Sequence, residues 1–434
     1  MDFFRYCGGQ LHAEDVPVQR IADEAGTPCF IYSEATLKRH YGLVRDAFAE
    51  ADPLVCYSVK ASSNLAILKL LKEQGAGFDI VSGGELFRVL KIGGDPGKTV
   101  YAGVGKTAAE IEFALRSGIL MFNVESESEL DAINAIAGRM QRRASVALRL
   151  NPDVDPGTHR HTTTGKKENK FGIDFETASR IIGRLASWPN VRLVGLDTHL
   201  GSPVNTVEPY VEALDKVLGF HSACALHADR AANPSAAGIR YLNIGGGFGI
   251  EYRGGETATP TQYAAAIVPL VQKSGLKLIV EPGRLVAGNS GILVTRVSYV
   301  KESGGKRFVI CDAAMNDLIR PALYDSFHRI WPVQTDRPLA ECLAARPDSD
   351  GYAAVDVVGP VCESGDFLAK GRVLPRVRQG ELLCVFGAGA YGMSMSSNYN
   401  SRPRAAEVMV GGSIFRTIRE RETYDDLVRS ERCC

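Results

Sequence analysis

The chain has 434 residues, in which 50 Lys and Arg balance 50 Asp and Glu. With no net charge there is no field to draw it to nucleic acid or to an anionic membrane surface, and 45% hydrophobic with 23% charged residues excludes global disorder. The length suits two unequal domains, and apolar runs such as Ile267-Val268-Pro269-Leu270-Val271 are too short to cross a bilayer.

The N-terminus, Met1-Asp2-Phe3-Phe4-Arg5, reads as neither a signal peptide nor a transit segment, so a cytoplasmic location is expected. The ten cysteines are scattered, with only Cys433 and Cys434 adjacent and no CxxC at metal spacing. Reduced, mostly buried thiols and no metal site are expected.

The first 25 residues carry no strand-helix phrase and are expected to pack with the C-terminal part. From Leu54 onward the sequence repeats a short β-branched run followed by an amphipathic stretch, the signature of parallel strands with crossover helices. Eight strands are predicted, over residues 54–60, 77–82, 99–104, 120–126, 145–151, 193–201, 241–247 and 277–283. Helix starts are marked by Thr107 with Glu110 and Ser126 with Glu129, and helix ends by Gly75, Gly118 and Gly275. Eight such units predict an α/β fold with a closed (β/α)8 TIM barrel over residues 26–285.

After Gly283 the pattern changes to short strands at 292–300, 307–311, 353–358 and 382–386, with Ser303-Gly304-Gly305 reading as a hairpin turn. Residues 1–25 and 286–434 are therefore expected to form a mostly β domain, barrel or sandwich. Residues 336–350, polar and Pro-containing, are expected to be a surface insertion.

In a barrel of this kind the chemistry sits at the C-terminal ends of the strands. The first strand ends in Tyr57-Ser58-Val59-Lys60-Ala61-Ser62, and a desolvated Lys60 suits an amine that forms a Schiff base, although a strand-end lysine taken alone is more often a solvated surface residue. The sixth ends in His199-Leu200-Gly201-Ser202, where the histidine is either a ligand-facing ring or a satisfied core residue. The seventh ends in Gly245-Gly246-Gly247-Phe248-Gly249, a phosphate cradle or a tight turn, and the eighth in Glu281-Pro282-Gly283-Arg284. An amine, an anion cradle, a ring and a carboxylate around one barrel mouth together describe a pyridoxal phosphate site.

The second domain offers Cys362-Glu363-Ser364-Gly365-Asp366, a thiol beside carboxylates, and Arg320-Pro321-Ala322-Leu323-Tyr324, a guanidinium and a phenol suited to a carboxylate. Gly387-Ala388-Gly389-Ala390-Tyr391-Gly392 matches GxGxxG, but Met393-Ser394-Met395-Ser396-Ser397 and the residues after it are poor helix material. Only 42 residues remain beyond Gly392, so a dinucleotide fold is not expected. Tyr391 reads instead as a residue aimed into a site.

These motifs resemble the fold-type III pyridoxal phosphate decarboxylases, and most closely the branch acting on diaminopimelate. Cys362-Glu363-Ser364-Gly365-Asp366 is the most discriminating match, because ornithine and arginine relatives usually carry Asp at the position of Glu363. The chain differs from the usual pattern at Asp197, where a His is common, and at Ser62, and His159-Arg160-His161-Thr162-Thr163-Thr164-Gly165 with Asn169-Lys170-Phe171-Gly172 keeps only the outline of a substrate loop.

The resemblance implies that pyridoxal 5′-phosphate is carried by Lys60, with His199 stacked on its ring and Glu281 at its ring nitrogen. Ser202, Gly246, Gly247, Gly283 and Arg284 would hold the phosphate end, and Tyr391 would touch cofactor and substrate. Cys362 would donate the proton, with the Glu363 and Asp366 neighbourhood as its acid–base environment. Arg284, Arg320 and Tyr324 would bind the far carboxylate and Glu363 the far ammonium of a small amino-acid substrate. The implied reaction turns meso-2,6-diaminopimelate into L-lysine and carbon dioxide in a homodimer with shared sites; a decarboxylase of ornithine, arginine or carboxynorspermidine is the alternative.

Overall fold

A computed structural model describes residues 3–155, 157, 170–227, 238–347 and 351–432. The loop at residues 159–165, Asn169 and the Cys433-Cys434 pair lie outside the described residues.

Strands β1 (Phe4–Cys7), β2 (Gln10–Ala13) and β3 (Val16–Pro17) form a small antiparallel sheet, followed by the helix Val18–Ala25 and by β4 (Cys29–Ser33). The next eight strands are β5 (Leu54–Ser58), β6 (Gly77–Ile80), β7 (Thr99–Tyr101), β8 (Met121–Val124), β9 (Ala144–Arg149), β10 (Val191–Asp197), β11 (Tyr241–Asn243) and β12 (Lys277–Val280). They pair in parallel in chain order, and Ile279 and Val280 of β12 pair with Leu54 and Val55 of β5 to close the barrel. Each lies within one of the eight predicted segments or overlaps it by all but its first residues, so the (β/α)8 barrel stands as read.

Period-two alternation stacks the barrel interior in layers. Cys56, Val100, Met121, Ala147, Val194 and Ile279 form an apolar layer, fully buried. Two residues further along β5, β8, β9 and β12 come Ser58, Asn123, Arg149 and Glu281, and with Asp79, Asp197 and Asn243 they make a buried polar layer toward the C-terminal ends. Such groups are costly to bury and must be paired with one another or with a ligand.

The outer helices are stopped and started locally. Thr107 and Glu110 close a full capping box, worth roughly 1 kcal/mol. Ser126 caps the N–H of Glu129, but the Glu129 carboxylate turns to the N–H of Glu125, so that box is half formed. Gly75, Gly118 and Gly275 have the positive φ of helix-ending residues.

The second unit is built on β4 with β13 (Gly291–Ser303), β14 (Lys306–Cys311), β15 (Ile330–Pro332), β16 (Tyr352–Val358), β17 (Phe367–Pro375), β18 (Leu382–Val385), β19 (Ala406–Gly411) and β20 (Ile414–Arg419). The sheet runs β17-β16-β14-β13-β4-β19-β20, with β18 on β13 and β15 on β18. Gly304 and Gly305, both at positive φ, turn β13 into β14 as the hairpin reading expected.

The chain divides into Met1–His40, Ile250–Glu256 and Val286–Cys434 as one compact unit and Tyr41–Gly249 with Thr257–Leu285 as the other. The sequence pattern predicts a barrel domain that begins at residue 26. Cys29–Ser33, buried throughout like a barrel strand, pairs instead with β13 and β19, which moves that boundary. The N-terminal segment is tied within this unit: Leu11 N–H donates to Val333 O, and Glu14 accepts from Ser33, Ala35 and Gly412. The 336–350 stretch contains a short helix, Glu341–Ala344, that buries Cys342. Among the described residues no helix is long and apolar enough to cross a membrane.

Candidate active site

β5 runs into a single 3-10 turn, Val59–Ala61, which sets Lys60 at the strand's C-terminal end. Lys60 Nζ lies 2.5 Å from Asp79 Oδ2, and Ser58 Oγ donates to the same oxygen at 2.6 Å. Asp79 is wholly buried, and its Oδ1 has no hydrogen-bond partner among the described residues.

Glu281 follows β12 and is oriented by a relay. The Gly245 N–H donates to Asn243 Oδ1 at 2.9 Å, which fixes the amide so that Asn243 Nδ2 donates to Glu281 Oε1 at 2.5 Å. Burial, reinforced by Asp79 and Asp197, pushes the Glu281 carboxyl well above the usual carboxylate range.

His199 Nδ1 accepts the Gly246 N–H at 3.1 Å. Burial, and then the nearby Arg149 and Lys60 charges, hold the imidazole well below its ordinary value, so it remains a neutral ring with Nδ1 as acceptor. The glycine loop leaves no space for side chains. A Cβ on Gly246 would stand 2.0 Å from Glu281 O, and one on Gly247, at φ +103°, 2.3 Å from Gly201 O. Tyr210 Oη pins the loop through Gly246 O at 2.7 Å. Gly283 packs against Ser58 and Ala61, and the buried Arg284 donates Nε–H to Ser202 Oγ at 3.0 Å.

Asp197 completes the polar layer. It is buried, 3.9 Å from Arg149 Nε, while Arg149 donates to Glu125 at 2.8 Å. Burial lifts its carboxyl to about 7, against the pull of Arg149. A carboxyl raised in the folded state binds its proton more tightly there than when unfolded, so its contribution to stability falls as pH climbs from about 4 to about 7. Asp197→Asn is therefore expected to gain roughly 1–3 kcal/mol over the wild-type apoprotein at pH 8 and little at pH 4.5. Thermal melts of both proteins across that range check the sign; a gain confined to acid pH would contradict it.

Three buried acids, Asp79, Asp197 and Glu281, thus surround a single lysine, and two of them are held toward the neutral form. Such a layer favours a ligand that brings positive charge. A protonated pyridine ring does so at Glu281, while the glycine cradle with Ser202 and Arg284 suits its phosphate. The residues present fit pyridoxal 5′-phosphate.

In the sheet unit, Cys362, Glu363 and Ser364 are exposed on a loop between β16 and β17. Asn400 Oδ1 accepts the Cys362 N–H at 2.8 Å, and Tyr399 Oη donates to Glu363 at 2.8 Å. Asp366, expected to contribute to the acid–base surroundings of Cys362, is turned inward. Its two oxygens accept the N–H groups of Met315 and Val361, both at 2.7 Å, so it shapes the loop. Arg320 is buried at the start of the helix Arg320–Tyr324, and Tyr324 is half-buried at its end. Tyr391 stands at φ +58° in the turn after β18. Gly389 of the GxGxxG match is required because a Cβ there would meet Ala287 O at 2.0 Å, and the loop leads into two short 3-10 turns and then β19, with no helix opening at the glycines.

The structure gathers Lys60, His199, Ser202, Gly246, Gly247, Glu281, Gly283 and Arg284 in the barrel unit, and Arg320, Tyr324, Cys362, Glu363 and Tyr391 in the sheet unit. Asp79, Asn243 and Arg149 were missed. Each lies inside a predicted strand, short of its end and two residues on from Gly77, Tyr241 and Ala147 respectively, in the period-two phase of inward residues, a signal present in the sequence.

Residues 34–288 match the family described as pyridoxal-dependent decarboxylase, pyridoxal binding domain. The chain is 46% identical over 426 residues to a diaminopimelate decarboxylase of Neisseria meningitidis, covering 98% of this chain and 99% of that one. Among solved structures it superposes on a diaminopimelate decarboxylase from Helicobacter pylori complexed with L-lysine, with TM-score 0.87 and 37% identity, covering 95% and 99% of the two chains. It superposes also on one from M. jannaschii, with TM-score 0.90 and 34% identity, covering 100% and 98%.

Proposed function

The chain belongs to the pyridoxal-dependent decarboxylases, and from that premise we infer that it is a diaminopimelate decarboxylase, releasing carbon dioxide from meso-2,6-diaminopimelate and leaving L-lysine. The observation that carries this reading is the barrel rim itself, where a lysine, a neutral imidazole, a buried carboxyl and a glycine cradle converge in a chain so close to enzymes of that name.

When bound, pyridoxal 5′-phosphate supplies the electron sink for the pair left by the departing carboxylate. Lys60 is the amine that would carry it, and Asp79 holds that amine in place. Glu281, aimed by Asn243, would accept the hydrogen bond of the ring nitrogen and keep that proton on it. His199 would lie against the ring, while Ser202, Gly246, Gly247 and Arg284 would hold the phosphate. Cys362 returns a proton to the carbon that lost its carboxylate, and Tyr391 lines the substrate. Arg320 and Tyr324 bind the far carboxylate and Glu363 the far ammonium, so a substrate without that second amino-acid group leaves the buried Arg320 unpaired.

The exposure of Cys362 and Glu363 on the sheet unit supports a homodimer in which each loop completes the barrel site of the other subunit. A cytoplasmic setting suits a small-molecule enzyme whose described cysteines are all free thiols. The test is carbon dioxide release with added pyridoxal phosphate. Release from meso-diaminopimelate is expected, with at least about 100-fold lower kcat/KM for ornithine, arginine, lysine and carboxynorspermidine. Preference for one of those others would move the chain to a neighbouring branch.

A further inference from the structure

Arg320 is 5% exposed, yet among the described residues no carboxylate forms an ion pair with it. Its donors meet neutral groups instead. Nη1 lies 3.1 Å from Tyr252 Oη and 3.0 Å from His328 Nε2, Nη2 reaches Ser326 Oγ at 3.4 Å, and the guanidinium sits 5.2 Å above the Tyr252 ring. A buried guanidinium left without a counter-ion is poised for an anion from outside.

His328 is the most constrained of these partners. It is fully buried, and its other nitrogen, Nδ1, lies 2.9 Å from Phe386 O. A guanidinium can only donate and a carbonyl can only accept, so Nε2 is the acceptor and Nδ1 carries the hydrogen. The ring stands edge-on to Tyr252 at 5.5 Å and 79°, and Arg372 Nη1 holds the His328 carbonyl at 2.5 Å. Phe386 also donates its N–H to Arg329 O at 2.9 Å, so the strand end leading to the Tyr391 turn is fastened to both His328 and its neighbour.

We propose that His328 is a positioning residue: a neutral acceptor that aims the Arg320 guanidinium and ties it to the Tyr391 turn without cancelling its charge. An aspartate or glutamate there would orient Arg320 equally well but would quench the cation. The imidazole keeps that charge for the far carboxylate of the substrate, and this role rests on the function proposed above.

The test compares the holoenzyme with His328→Gln, His328→Glu and His328→Asn. Glutamine retains an acceptor near the position of Nε2; glutamate has the same shape with a negative charge; asparagine retains only a donor toward Phe386. KM for meso-diaminopimelate is expected within about threefold of wild type for His328→Gln, and raised at least about 30-fold for His328→Glu and 10-fold for His328→Asn, with kcat within about fivefold throughout. Competitive inhibition by L-lysine should weaken in parallel. Inhibition by 1,5-diaminopentane, which has the same amines and no carboxylate, should not change.

Equal KM values for the glutamine and glutamate variants would overturn the proposal, as would equal weakening of both inhibitors. If the glutamate variant does not fold, the contrast between the glutamine and asparagine variants decides. A wild-type enzyme that releases no carbon dioxide from diaminopimelate would instead refute the proposed function, whereas normal release with unchanged KM in the variants would refute only the role of His328.

Discussion

Replacing Lys60 by alanine is expected to lower kcat by at least about 10⁴-fold, roughly 5 kcal/mol of lost transition-state stabilisation. No other amine is available at the C-terminal end of β5, and the local arrangement is specific to an ammonium: Asp79 accepts from Lys60 Nζ and from Ser58 on one oxygen. Removing Lys60 also leaves Asp79, wholly buried, without its cation. The Lys60→Ala protein should lose the visible absorption of bound pyridoxal phosphate after dialysis, and borohydride should fix cofactor to the wild type alone. Activity within tenfold of wild type would exclude the assignment of Lys60.

Cys362→Ala is expected to cost about 10²–10³-fold in kcat, the range for removal of a positioned proton donor, with the fold intact because the thiol is exposed and its loop is held by Asp366 and Asn400. This variant also tests the shared site. A one-to-one mixture of Lys60→Ala and Cys362→Ala chains, unfolded together and refolded, places a mixed pair in half the dimers, each with one complete site. About a quarter of wild-type activity should return. Verified mixed dimers without recovery would mean that lysine and thiol act within one chain.

The barrel was legible because every parallel strand is buried on both faces and is followed by its own helix, so each writes a separate phrase in the sequence. The sites at β5, β10, β11 and β12 could be found by asking what each strand ends with. Asp79 and Asn243 escaped the same question only because they precede the strand end, although Asp79 is two residues from Val81 and Asn243 is one inward step from the glycine loop. The second sheet was half legible. β13, β14, β16 and β18 are apolar runs bounded by turns, whereas β19 and β20 make sense only beside β4, which lies almost 380 residues earlier, as in the pair Ala406 and Cys29. His328 shows the limit most clearly. Its partners are Arg320 and the carbonyl of Phe386, and no local pattern announces a hydrogen bond to a backbone oxygen 58 residues away.

The loop from Val361 to Asp366 divides its labour. The buried Asp366 carboxylate fastens the backbone at Val361 and Met315, and Cys362 is held by its own N–H and not by its side chain. Positions 362, 363 and 364 are thereby relieved of duty to the fold. A lineage can exchange the residues offered there one at a time, trying new substrates, while the mount that presents them never has to be reinvented.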